Sequence, residues 1–121
     1  SAPWALAGRR RGVEANRAAT MPMITLELLG GMRTEAEVNR LKSRLDALYQ
    51  IPLGKAEWEE AARIAFRLRR RGKAIPYADI LIATAAIQSG ATLLHADQHY
   101  RMMAEETPLA QESLLPLREQ G

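Results

Sequence analysis

Residues 69–100 read RRRGKAIPYADILIATAAIQSGATLLHADQHY. The arginines end one helix, and Gly72 follows where a left-handed residue closes a helix. Pro76 favours an extended Ile75 and an early helical place for itself. Tyr77 to Gln88 is apolar almost all round, through Ile80, Leu81, Ile82, Ala83, Ala85, Ala86 and Ile87, the pattern of a helix buried on most sides. Gly90 stops it, Ala91 to Leu94 reads as a buried strand, and Asp97 stands three residues beyond. Asp79 opens the helix. Carboxylates therefore stand at the entrance and exit of apolar elements, where folding alone gives little reason for them.

Upstream, Lys55 to Arg71 predicts a long helix, with Trp58, Ala61, Ala62, Ala65 and Leu68 on an apolar face and Ile64 beside it. Thr34 followed by Glu37 fits a capping box, and Val38, Leu41, Leu45 and Leu48 recur at helical spacing behind it. Residues 51–54 read as a linker or short strand edge before that second helix. Earlier still, Met21 to Ile24 reads as a short buried strand. Thr25 then caps a helix that carries Glu27 in its first turn and stops at Gly30-Gly31. Val13 to Ala19 is long enough for one or two helical turns, behind a small apolar lead at residues 1–8. Downstream, Gln98 to Glu106 predicts one more helix, and the SLLPL of the tail an edge strand. Short strands alternating with helices imply an α/β fold with a mainly parallel central sheet and helices on both faces.

The chain has 121 residues, the size of one domain with one core. It has no cysteine, which excludes disulfides, thiolate catalysis and zinc–thiolate sites and fits a reducing cytoplasm. No apolar run reaches the ~20 residues of a membrane span, and residues 1–8 lack the form of a signal peptide. The net charge of +3 is mild, but the cations cluster: Arg9, Arg10 and Arg11, then Arg67, Arg69, Arg70, Arg71 and Lys73. Clustering suits a polyanionic partner, although a solvated helix end facing its own dipole accounts for the second cluster taken alone.

In parallel sheets, ligands sit beyond the carboxyl ends of the strands. Glu27 and Asp97 each follow a predicted strand, and Asp79 joins them if its helix crosses the sheet to the same edge. Each acid alone has a bland reading, as a cap or a helix-dipole partner. Three together repel unless they share protons or hold a cation. Oxygen ligands without cysteine suit Mg²⁺ or Mn²⁺, which polarise a phosphodiester and activate water.

The blocks ITLELLGG (24–31) and LRRRGKAIPYADILIATAAIQSGATLLHADQHY (68–100), with the two helices between them, resemble the PIN-domain family, and within it the VapC-type ribonuclease toxins. The second block, G-x-x-I-x-x-x-D-x-L-I-A and then L-L-x-x-D-x-H-Y, is the more specific. The resemblance covers most of the chain. It implies a compact three-layer α/β/α domain, Mg²⁺- or Mn²⁺-dependent RNA cleavage, frequent homodimers and inhibition by a cognate antitoxin. By position, Glu27, Asp79 and Asp97 match three of the family's metal-site acids. Arg9, Arg10, Arg11, Arg71 and Lys73 are the candidate RNA contacts.

Two departures stand out. The family's first acid ends an N-terminal strand of the form apolar–apolar–Asp–Thr/Ser–Ser, which this chain lacks; aligned through Trp4, that Asp would precede Ser1. The expectation is one PIN-like domain over 1–121 without its first strand. The hydroxyl residue often found three before the Glu is replaced by Ile24, with Thr25 two before. These departures keep a rival open: a catalytically silent PIN-like module that binds RNA or protein without cutting. A receiver-like or flavodoxin-like domain would cluster its acids near the first strand, unlike the order here. His99 is expected in a structural or surface role, His95 in packing or hydrogen bonding. Trp58 is expected in core or dimer packing rather than RNA stacking, and Met102 and Met103 in the core or an antitoxin groove.

Overall fold

The structure, a computed structural model, describes residues 5–7, 18–95 and 98–113. Its strands are β1 (Ala5–Ala7), β2 (Ala18–Thr20), β3 (Tyr49–Gln50), β4 (Thr92–His95) and β5 (Ala110–Ser113). Its helices are α1 (Pro22–Gly30), α2 (Glu35–Asp46), α3 (Lys55–Arg70), α4 (Tyr77–Ser89) and α5 (Gln98–Ala104). They form an α/β fold around one five-stranded sheet of order β3-β2-β1-β4-β5. β2 pairs parallel with β3, and β4 with β5. β1 lies between the two pairs and runs antiparallel to both neighbours, Leu6 facing Ala19 on one side and Leu93 on the other. All strands except β1 therefore point the same way, so β2 and β4 end at one edge. Residues 5–7, read from sequence only as part of an apolar lead, fill the central place.

Local chemistry sets the helix ends. Thr34 Oγ1 accepts from the Glu37 amide at 3.1 Å, and Glu37 Oε1 accepts from the Thr34 amide at 3.2 Å, the expected capping box. Glu57 accepts from the Gly54 amide at 2.7 Å and ties down the start of α3. Gly72 and Gly90 both take φ of 73°, which a side chain resists. Beyond them the amides of Lys73 and Ala91 bond back to the carbonyls of Leu68 and Ala86.

The first αβ junction differs from expectation. The strand is Ala18–Thr20, not Met21–Ile24, and the helix starts at Pro22, not Thr25. Pro22 has φ preset for a first helical position, and Met21 caps the helix through its sulfur, which accepts from the Ile24 amide at 3.3 Å. Of the supposed turns at 13–19, Ala18 and Ala19 are strand and 13–17 lie outside the described residues. The last described strand is Ala110–Ser113; of the SLLPL segment it takes in Ser113, and residues 114–121 lie outside the described ones.

α4 is the central helix. It packs against α1, α3, α5 and β4, and Ile80 to Ala86 are buried without a break. That explains why its sequence shows no apolar stripe: each side has a neighbour. Met21, Ile24, Ile64, Leu68, Leu93, Tyr100 and Met103 complete the core around it.

Candidate active site

Asp79 lies in the first turn of α4 and is only 5% exposed. The N-cap of α4 is Pro76, which makes no side-chain cap bond. Asp79 Oδ1 accepts a hydrogen bond from the Tyr100 hydroxyl at 3.1 Å. Oδ2 stands 3.3 Å from His99 Nδ1, an ion pair whenever the imidazole carries both protons. An ionised carboxylate is costly to bury unless partners surround it. Here Tyr100 and His99 both come from the first turn of α5, about twenty residues further on. His99 thus has a place beside the acid.

The sequence places Tyr100 at the end of the L-L-x-x-D-x-H-Y block without giving it a role. A tyrosine on the buried side of a helix needs a partner for its hydroxyl, and that need was the available signal.

Glu27 sits in the second turn of α1, not its first, because the helix is capped at Met21, four residues earlier than the expected cap at Thr25. A helix-dipole role weakens with that shift. The side chain is half-buried and its Oε1 is closed off from solvent. α1 leaves the carboxyl end of β2 and packs on α4. α4 turns back at Gly90 straight into β4, so its N-terminal end returns to the carboxyl edge of that strand. Glu27 and Asp79 therefore belong to the same sheet edge. Asp97, just past β4, lies outside the described residues, as do Arg9, Arg10 and Arg11.

The donor chemistry fits a hard divalent cation, since Glu27 and Asp79 offer carboxylate oxygens withdrawn from bulk water. Among the described residues no group of three acids or histidines is gathered closely enough to hold an ion alone. Mg²⁺ needs few carboxylates, because it keeps several waters.

The PIN-domain family profile matches residues 6–106. The chain belongs to the PIN-domain family. This PIN domain is 28% identical over 97 residues to ribonuclease VapC18 of Mycobacterium tuberculosis, covering 77% of this chain and 71% of that protein. Its fold matches VapBC2 from Rickettsia felis, solved bound to a promoter DNA fragment, with a TM-score of 0.66 and 22% identity over 80% of this chain and 74% of that one. It also matches VapBC-5 from Mycobacterium tuberculosis, a toxin–antitoxin system, with a TM-score of 0.66 and 16% identity over 84% and 85% of the two chains.

The PIN domain's second basic cluster is partly neutralised. Arg71 Nη1 lies 3.4 Å from Glu106 Oε2, and Lys73 Nζ lies 3.4 Å from Glu105 Oε1. These pairs join the end of α3 to the end of α5. Arg71 nevertheless stays well exposed, and Arg69 reaches the Tyr77 hydroxyl at 3.3 Å, at the start of α4. The cations thus flank the end of α4 that carries Asp79.

Trp58 is not in the core. α3 buries Ala61, Ile64 and Leu68, while Trp58 is 52% exposed and Phe66 64%. With Tyr77 they border an open groove of about 520 Å³ between α3 and α4, floored by alanines together with Ile80 and Leu81. Met103 is core, and Met102 packs at its margin.

Proposed function

We propose that this PIN domain is a divalent-metal-dependent endoribonuclease, the toxin of a toxin–antitoxin pair. The observation that carries the reading is the buried Asp79 carboxylate at a sheet edge, with Glu27 brought there by α1. The similarity to ribonuclease VapC18 and to the VapBC structures supports both the activity and an antitoxin partner.

Glu27, Asp79 and Asp97 would hold Mg²⁺ or Mn²⁺. When bound, the ion supplies charge stabilisation for the phosphodiester and lowers the pKa of water. The chain's own residues do the rest. The carboxylates fix position and α5 braces Asp79. Arg71 and Lys73, with Arg9 to Arg11, attract and align the RNA backbone through charge. Hydrolysis leaves two RNA fragments and consumes one water per cut. No helix among the described residues is long and apolar enough to cross a membrane, in keeping with a cytoplasmic toxin.

The outer face of α3 suits a two-fold homodimer. Trp58 and Phe66 lie equally spaced about Ala62, with Glu57, Glu59 and Glu60 in the first half of the helix. Arg63, Arg67, Arg69 and Arg70 fill the second half. Antiparallel pairing of two copies sets Trp58 of one beside Phe66 of the other and acidic half against basic half.

The silent-module alternative makes the opposite forecast for the ion. Mn²⁺ binding and RNA cleavage decide between them. The nuclease reading expects both, and expects both to vanish in an Asp79→Asn, Asp97→Asn double variant. Cleavage unchanged in that variant would sink the site assignment. A chain that binds RNA but neither binds Mn²⁺ nor cuts is the silent module.

A further inference from the structure

We infer that Tyr100 is a positioning residue for Asp79: its buried hydroxyl fixes the carboxylate in the orientation in which it takes a divalent cation. The inference rests on the nuclease reading of the site and adds a residue outside its acidic set.

The geometry has three parts. Tyr100 is fully buried, so core packing, not solvent, holds its ring in place. The hydroxyl donates to Asp79 Oδ1 at 3.1 Å. The second oxygen, Oδ2, is on the side of the partly exposed His99. The carboxylate can turn about its own side-chain bonds, and Tyr100 removes that freedom from a separate element. A hydroxyl takes one lone-pair site of a carboxylate that has about four. Removing a group that holds a metal-binding side chain from behind typically costs about 10–100-fold in metal affinity.

Position in the chain adds a second reason. Tyr100 lies in the first turn of α5, three residues after Asp97 in the sequence. The segment that carries one acid therefore also braces another. A structural role for the same hydrogen bond, pinning α5 to α4, makes a different forecast. It needs the hydroxyl for stability but predicts no effect on the ion.

Tyr100→Phe removes the hydroxyl and keeps the ring. Mn²⁺ binding measured by calorimetry should weaken about tenfold or more relative to the unaltered chain. In RNA cleavage, KM for RNA should hold, and much of the lost kcat should return as Mn²⁺ is raised. Asp79→Asn runs beside it as the reference for the site itself. If Tyr100→Phe binds Mn²⁺ within twofold of the unaltered chain while Asp79→Asn does not bind, the positioning role is overturned and the nuclease reading stands. If the unaltered chain binds no Mn²⁺, both fall together.

Should Tyr100→Phe fail to fold, the unaltered chain answers alone. With tyrosine labelled at the ring carbon bearing oxygen, Mg²⁺ addition should shift the Tyr100 resonance and leave Tyr49 and Tyr77 in place. A Tyr100 signal unmoved by saturating Mg²⁺, in a chain that cuts RNA, overturns the inference.

Discussion

Asp79→Asn separates a metal ligand from a structural ion pair by its effect on stability. The side chain is buried, bonded to Tyr100 at 3.1 Å and 3.3 Å from His99. If Asp79 and His99 form an ion pair that holds α5 to α4, neutralising the acid strands its partner and costs about 3–5 kcal/mol. If Asp79 is held in place to bind a cation, the metal-free protein already bears a carboxylate facing other carboxylates. Asparagine keeps the volume and still accepts from Tyr100 through its carbonyl oxygen. It also relieves repulsion, so metal-free stability should change by less than about 1 kcal/mol, or rise. For a domain of this size 1 kcal/mol is roughly 4 °C in Tm, so the two cases differ by about 10 °C or more.

The assay is thermal unfolding followed by circular dichroism, in chelator and then in Mn²⁺. Mn²⁺ at about a hundred times its Kd should stabilise the unaltered chain by about 2.7 kcal/mol, roughly 11 °C, and should leave Asp79→Asn unmoved. A variant that melts more than about 12 °C lower in chelator, yet still gains stability from Mn²⁺, refutes the reasoning.

Thr34→Ala removes half of the capping box and should cost about 1 kcal/mol in urea unfolding, with cleavage per folded molecule unchanged. Ile82→Ala opens a cavity at a fully buried site of α4 and should cost about 2–5 kcal/mol by the same measure. Gly90→Ala forces a side chain into the left-handed region and should lower stability by about 1–2 kcal/mol. Phe66→Glu puts an acid against Trp58 of the other copy in the two-fold α3 contact; sedimentation should show monomers at concentrations where the unaltered chain dimerises, with the melting temperature of the monomer preserved.

Much of the fold was legible because its signals are local. The capping box joins residues three apart, and Gly72 and Gly90 close their helices through bonds reaching back five residues. An all-apolar helix announces its own burial, as α4 does. Ambiguity began where one short segment served two patterns. Met21 to Ile24 is as apolar as a strand, yet Pro22 fits a first helical turn equally well, and pairing of Ala18–Thr20 with its neighbours decides between them. The apolar arc of α3 was visible too. Which part of it faces α4 was not, since periodicity marks a face without saying what covers it; Trp58 and Phe66 turned outward.

The sequence alone determined the α/β alternation, the helix ends other than the start of α1, and the acids worth watching, because each depends on contacts within a few residues. Tertiary structure alone decided that Asp79 is buried and that α5 supplies its partners. Tyr100 is 21 residues from Asp79 along the chain, and only the return of α4 through β4 brings the hydroxyl to the carboxylate. It likewise put an antiparallel strand at the centre of the sheet, because strand direction is set by the path of the whole chain and not by any residue in the strand.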